Sequence, residues 1–306
     1  MKRAVSISLG SSTRNRAVEV TLLGERVRIE RIGTDGDMEA AARAYQELDG
    51  RIDAFGVGGA DLGLLVDTRW YPLHSTRAMV RFVEKTPIVD GTALKITLEQ
   101  RVAPFLDSRI RDYIDRRGRT ALIMTGADRW GLTRSFLDAG YACTFGDLIF
   151  SLGIPVPVHT ERALKALAAL LMPIAGRLPF RWVYPLGEKQ EERKPRHPKY
   201  FRRATVVAGD CHYIKRYMPD DMRGKVVVTN TTTADDVALF RRCGVRYLVT
   251  TSPTIGDRSF GTNVIEAALV AAAAKGRVLT HAECAEALDR LGFGPELQEL
   301  GPAEAA

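Results

Sequence analysis

Two polar turns in this chain carry residues able to do chemistry. The first is Gly126-Ala127-Asp128-Arg129-Trp130-Gly131. It lies between an apolar run, Ala121 to Thr125, and a segment whose Leu132, Phe136 and Leu137 share a helical face. Set against the dinucleotide fingerprint G-x-G-x-x-G, it matches the first and third glycines. Asp147, just past the next apolar run (Tyr141 to Phe145), stands where an acid would bind a ribose hydroxyl. The middle position is Asp128. A glycine there lets the backbone approach a pyrophosphate, whereas an aspartate adds bulk and like charge. Arg129 can offset the charge but cannot restore the room. The turn therefore reads either as a site for NAD or NADP or as the glycine-bounded turn of an ordinary βαβ crossover.

The second constellation is Gly209-Asp210-Cys211-His212, with Lys215 one helical turn further on. A positioned acid, imidazole and amine can move a proton to or from a hydroxyl or carbonyl, which makes Asp210 and His212 catalytic candidates. Two more strand ends, Asn230-Thr231-Thr232-Thr233 and Thr251-Ser252-Pro253, collect polar residues where parallel sheets bind ligands. Thr233 with Asp236 also fits a helix capping box, a structural role that accounts for part of the cluster, and acids at that helix start argue against a phosphate there. In the later loop from Gly256 to Asn263, Arg258 can clamp a carboxylate or phosphate, and Thr262 or Asn263 can cap the next helix and donate to the same ligand. Asn230, Thr231, Arg258, Thr262 and Asn263 are accordingly the expected contacts of a small anionic substrate.

The chain contains no G-x-S-x-G, no G-x-x-x-x-G-K-[ST] and no H-E-x-x-H, so serine hydrolase, P-loop NTPase and common zinc hydrolase chemistries lack a motif. Cys143, Cys211, Cys243 and Cys284 form no C-x-x-C pair; neither a zinc site nor a disulfide framework is expected. Forty-four basic against 37 acidic residues give a net charge of +7, which favours anionic partners. The bases are mostly scattered among acids, which disfavours nucleic acid. An exception is Glu188 to Arg203, where seven bases face three acids with Tyr200 and Phe201 among them; it reads as a solvated surface or as a lid over a phosphate or substrate. The start, MKRAVSISLGSSTRNR, turns polar after a few apolar residues and fails as a secretory signal. The most apolar helix candidate, Ala163 to Ala175, is too short to span a bilayer. A cytoplasmic protein without a membrane segment is expected, and a homo-oligomer is compatible with it.

The elements that must hold these residues follow from periodicity. Ala4 to Leu9 alternates as a strand, and Val18 to Leu23 with Val27 to Ile32 predicts a hairpin across Gly24-Glu25. Asp37 is placed to cap a helix from Met38 to Leu48, and Ile52 to Val57 is the next strand. Helical spacing recurs over His74 to Glu84, from Thr92 to about Pro104, and over Ser108 to Arg116. Ala204 to Ala208, Lys225 to Thr229 and Val245 to Thr250 are β-branched runs about twenty residues apart joined by helical segments, a βαβαβ pattern. The fold class is α/β: two Rossmann-like domains with mostly parallel sheets and an N-terminal β-hairpin. The expected boundaries are 1–118 for a substrate-side domain, 119–280 for the Rossmann-like domain with a flap over 177–203, and 281–306 for a C-terminal helix and tail.

An α/β unit, the short element Val89-Asp90-Gly91 and then a nucleotide-binding strand near residue 121 resemble the domain order of the shikimate and quinate dehydrogenases. The chain as a whole looks like bacterial proteins labelled quinate 5-dehydrogenase. In that family a lysine and an aspartate of the first domain bracket the substrate hydroxyl. The resemblance matches Asp90 to the aspartate of the family's Asn-Thr-Asp-Gly motif, with Lys85 nearby but outside the family's lysine motif. What it implies is an oxidoreductase that exchanges hydride between a nicotinamide cofactor and a cyclic hydroxy acid. Gly126 to Gly131 would hold the cofactor and Asp147 its ribose, Lys85 or Asp90 would move the hydroxyl proton, and Arg258 would hold the carboxylate. The alternative is a non-redox α/β enzyme or small anionic ligand-binding protein with its site around Asp210, His212, Asn230 and Arg258.

Overall fold

A computed structural model describes residues 1–178, 193–252, 254–255, 258–259 and 261–301, without the side chains of 254, 255, 258 and 259. In chain order, β1 (Lys2–Ser8) leads through a serine-rich loop to β2 (Arg16–Leu22) and β3 (Glu25–Gly33). Between the last two, Leu23 and Gly24 both take positive φ, 53° and 89°, as a primed hairpin turn requires. The helix α1 (Met38–Leu48) starts on the side chain of Asp37, which accepts from the Ala40 amide. Next come β4 (Ala54–Gly58), the hairpin of β5 (Gly63–Val66) and β6 (Arg69–Pro72), the short α2 (His74–Arg77), β7 (Ile88–Val89), α3 (Thr92–Gln100) and α4 (Val102–Arg117). The core of the later chain is β8 (Thr120–Ile123), α5 (Trp130–Asp138), β9 (Ala142–Phe145), α6 (Glu161–Ala175), α7 (Pro198–Arg203), β10 (Val206–Ala208), α8 (Cys211–Tyr217), β11 (Val226–Thr229), α9 (Ala234–Arg242) and β12 (Tyr247–Thr250). The chain ends with β13 (Thr254–Ile255), β14 (Arg258–Ser259), α10 (Thr262–Ala273), α11 (His281–Leu291) and β15 (Glu296–Glu299).

These elements form two compact units. Among the described residues the first comprises 1–97, 172–178, 254–255, 258–259 and 261–293; the second comprises 98–171, 193–252 and 294–301. This division differs from the expected 1–118, 119–280 and 281–306 in grouping the described residues of 254–280 with the first unit. A helix as apolar as α10, buried from Val264 to Ala272, does not reveal from its own residues which sheet it covers.

In the first unit the sheet order is β2-β3-β1-β4-β7, parallel except for the edge strand β2. One face of it carries Val5, Ile7, Leu9, Phe55 and Val57, which pack with Ala41 and Tyr45 of α1 and with Met79. The buried Tyr45 hydroxyl donates to the carbonyls of Ile7 and Gly56. Because alternate residues point to opposite faces, Ser6 and Ser8 lie on the other face, beside Gly56 and Gly58 of β4. There α10 approaches closely: a Cβ on Gly56 would stand 2.8 Å from the Asn263 carbonyl oxygen.

The second unit has sheet order β15-β12-β11-β10-β8-β9, parallel but for β15. The chain leaves β8 for β9 on one side and returns to β10, β11 and β12 on the other, so the topological switch point lies between β8 and β10. Its core runs from Leu122, Met124 and Val207 to Phe240 and Leu248. Tyr200 and Phe201 of α7 are part of that core, 6% and 0% exposed, so these aromatics are not offered to a ligand among the surrounding bases. Residues 179–192 of the expected flap lie outside the described residues.

Candidate functional site

The fingerprint-like turn is held by the chain itself. Gly126 is a glycine for packing: a Cβ there would meet the Phe145 ring at 2.6 Å and Leu164 at 2.9 Å. Asp147 does occur beside this turn, but its carboxylate accepts the amides of Gly126 and Ala127 at 2.8 and 2.9 Å. Burial pushes that carboxyl up to about 6, the two amides pull it back, and Asp128 adds to the rise. An internal carboxylate thus takes the turn amides that a pyrophosphate would need.

Arg129 joins this turn to the end of β10. Its guanidinium, 9% exposed, lies 2.9 Å from Glu99, 3.0 Å from Asp210 and 3.4 Å from Asp128. Burial works against its charge, but the three carboxylates outweigh burial and hold its pKa up. Asn230 donates to Asp210 at 2.9 Å, and the backbone amide of His212 does the same on the other oxygen. This network sits at the switch point, where a doubly wound sheet takes a ligand. Its charge is negative, three carboxylates to one guanidinium, so a second anion is repelled there.

The expected proton relay is not assembled. Asp210 meets His212 through the backbone, the imidazole is exposed, and Lys215 is paired with Asp236, the acid of the Thr233 capping box. Thr231 is half-buried in the same loop as Asn230. Asp90 uses both oxygens on the backbone, accepting from Leu62 at 2.7 Å and Thr92 at 3.0 Å. Lys85 is exposed, and its amide donates to Asp49. The side chain of Arg258 lies outside the described residues. Thr262 opens α10 against Gly91, where a Cβ would meet its hydroxyl at 2.6 Å.

Asn263 leads to a site the sequence reading missed. In the first unit a cleft of about 520 Å³ lies at the carboxyl ends of β1 and β4, lined by Ser6, Ser8, Arg14, Arg16, Arg31 and Asn263 among others. Asn263 donates to the Ser6 hydroxyl at 2.8 Å. Arg31, half-buried on β3, donates to the Ser11 carbonyl at 3.0 Å and to the Ser8 hydroxyl at 3.2 Å. Burial lowers its pKa, the like charges of Arg14 and Arg16 lower it further, and the carboxylate of Asp35 acts in the opposite direction. The loop that carries Arg14 is pinned: Ser12 donates its amide to Asp35, and Gly33 donates to the Asn15 side chain. Gly58 leaves room for Ser8, whose Cβ would be 2.7 Å from a Cβ at that position. No carboxylate is among the lining residues. The available signal was a Gly-Ser-Ser-Thr-Arg run directly after the first strand, together with serines alternating on that strand.

Among the described residues no group of three or more histidines, cysteines or acids could hold a metal ion, and no helix is long and apolar enough to cross a membrane.

Comparison with known proteins adds a family. Residues 93–300 match the model described as Domain of unknown function (DUF8754), and residues 3–90 match Domain of unknown function (DUF8753). No curated protein matches the chain. Similar solved structures include a periplasmic ribose ABC transporter from Conexibacter woesei DSM 14684, with 10% identity, TM-score 0.39, and 98% of this chain and 92% of that chain covered. They also include an NAD-dependent malic enzyme from Thermotoga maritima, with 12% identity, TM-score 0.38 and coverages of 94% and 84%. A Mycobacterium smegmatis protein in complex with beta-D-fucofuranose has 12% identity, TM-score 0.34 and 95% coverage of both chains.

Proposed function

The chain belongs to the family described as Domain of unknown function (DUF8754), and from its geometry we propose that it binds a small anionic molecule in the basic cleft of the first unit. The observation that carries this reading is the cleft's lining, three arginines and no carboxylate at the carboxyl ends of parallel strands. Like charges held near one another repel, and a bound anion offsets that repulsion. Titration calorimetry of the purified protein with small dicarboxylates and phosphates at low salt tests the reading. Saturable binding that weakens with added salt and with Arg31→Gln supports it. Binding insensitive to Arg31, or none, removes it.

A nicotinamide-dependent oxidoreductase of the shikimate/quinate type is the second reading. What favours it is topology, since the turn Gly126 to Gly131 lies at the switch point of a doubly wound sheet. Against it stand Asp128 and the engagement of the turn amides by Asp147. Thermal stability titrated with NAD, NADH, NADP and NADPH separates the readings: a saturable rise with one cofactor sustains the oxidoreductase, and none with any of the four leaves the basic cleft as the functional site. The four buried, unpaired cysteines are consistent with a reducing compartment, and the cytoplasm is the proposed location.

A further inference from the structure

The cleft's hydrogen-bonding groups select among anions. Ser6 and Ser8 are 2% and 6% exposed. The Ser6 hydroxyl accepts from Asn263, and the Ser8 hydroxyl accepts from the Gly10 amide and from Arg31. A hydroxyl that accepts still has a proton to give. Among the described residues neither proton meets an acceptor. Arg31 spends two N–H groups on Ser11 and Ser8, and a guanidinium has about five. Arg14 adds donors from the loop after β1. The lining thus offers many donors and an excess of positive charge toward one space. The positive end of α10, which begins at Gly261 beside that space, adds to the same field.

Ligand size and polarity narrow the choice. About 520 Å³ is in the range of sites for small organic molecules and exceeds what a bare oxoanion fills. Ile29, on the same face of β3 as Arg31, and Val264, next to Asn263, are apolar residues of the lining. A carboxylate has one charge and two oxygens. A phosphate monoester near neutral pH carries close to two charges and three acceptor oxygens with no proton to give.

We infer that the ligand of this cleft is a phosphate monoester of a small organic molecule, its phosphoryl group held by Arg14, Arg31, Ser6 and Ser8 and its carbon skeleton laid against Ile29 and Val264. This rests on the anion-binding reading above. The ester bond is not broken in this proposal; recognition alone is claimed. Affinity then follows the ligand's second ionisation, because the monoanion formed below about pH 6 loses one of the charges the arginines meet.

The test is calorimetry on the full chain with glycerol 3-phosphate, ribose 5-phosphate and inorganic phosphate against malate and quinate, at pH 7.5 and pH 5.5. The variants are Arg31→Gln, Arg31→Lys and Ser8→Ala, with Arg223→Gln, an exposed arginine paired to Asp221, as the control outside the cleft. The expected result is that monoesters bind at least about tenfold tighter than carboxylates at pH 7.5, that the margin shrinks at pH 5.5, and that Arg31→Gln and Ser8→Ala each cost about tenfold or more. Arg31→Lys keeps the charge and so shows partial loss if the variant folds, which near-UV circular dichroism checks. Carboxylates that bind as well as monoesters, through Arg31, overturn the phosphate assignment and leave the anion reading standing. Anions that bind equally to wild type and Arg31→Gln overturn both.

Discussion

The Glu99 carboxylate and the Arg129 guanidinium meet at 2.9 Å inside the second unit, 1% and 9% exposed. Glu99 also accepts the Leu132 amide at 3.3 Å, so the pair ties the end of α3 to the start of α5. Truncating one partner strands the other charge out of water. Arg129→Met is expected to cost about 3–5 kcal/mol, whereas the double variant Glu99→Leu/Arg129→Met, with no stranded carboxylate at that position, should recover part of the loss. Chemical denaturation of the two variants decides. A double variant no more stable than Arg129→Met would show that Glu99 is not what the arginine balances.

The second expectation concerns pH. Glu266 on α10 is 3% exposed and accepts the Leu94 amide at 3.2 Å. Burial pushes its carboxyl up to about 8, the amides pull down, and nearby Asp90 adds to the rise. The unfolded chain releases this proton near the ordinary glutamate value of 4.5, and the folded chain keeps it to about 8. Over that window the folded state binds more protons, so stability is full below about 4.5 and falls as pH rises, at up to about 1.4 kcal/mol per unit. Asp147 acts with the same sign only up to about 6. Between pH 6.5 and 8 the slope therefore belongs mainly to Glu266, and Glu266→Gln should flatten it. An unchanged slope in the variant would assign it to other groups.

Much of this architecture was legible, and the reasons are local. The runs ending at Ala208, Thr229 and Thr250 are β-branched and evenly spaced, so these strands follow from residues next to one another. The caps Asp37 to Ala40 and Thr233 with Asp236 are bonds across three residues, and both form. The site depended on distant pairings. Arg129 reaches Asp210 across 81 positions, and Asn263 reaches Ser6 across 257. No periodicity encodes such partners. Asp147 shows the converse: its spacing from Gly126 suits a ribose acid and equally suits a carboxylate that braces the turn, and only the direction of the side chain separates the two.

Gly56 permits the close packing of α10 on the first sheet. A Cβ at this position would stand 2.8 Å from the Asn263 carbonyl oxygen and 3.4 Å from the Ser6 Cβ. Backbone oxygen cannot swing aside as a side chain does, so Gly56→Ala must push the start of α10 outward. The expected cost is about 1–3 kcal/mol in stability, together with weaker anion binding, because Asn263 carries the hydrogen bond that orients Ser6. Thermal denaturation and calorimetry on the same sample read both effects. Loss of stability with unchanged anion binding would detach Asn263 from the cleft.

The last expectation concerns the thiols. Cys143, Cys211, Cys243 and Cys284 are unpaired and buried, none more than 6% exposed. Burial pushes the thiols of Cys143, Cys211 and Cys284 up to about 12, and raises that of Cys243 as well. The thiolate is the nucleophile, so the folded protein presents almost none at neutral pH and gives a reagent no path to it. Alkylation by iodoacetamide at pH 7.5 should leave all four cysteines unmodified in the native protein and modify all four in denaturant. Where slow native labelling occurs, its rate should follow opening of the surrounding structure and rise with denaturant. Mass spectrometry of peptides after each treatment gives the count, and rapid modification of any one cysteine in the native state would mean that its surroundings open far more readily than its burial requires.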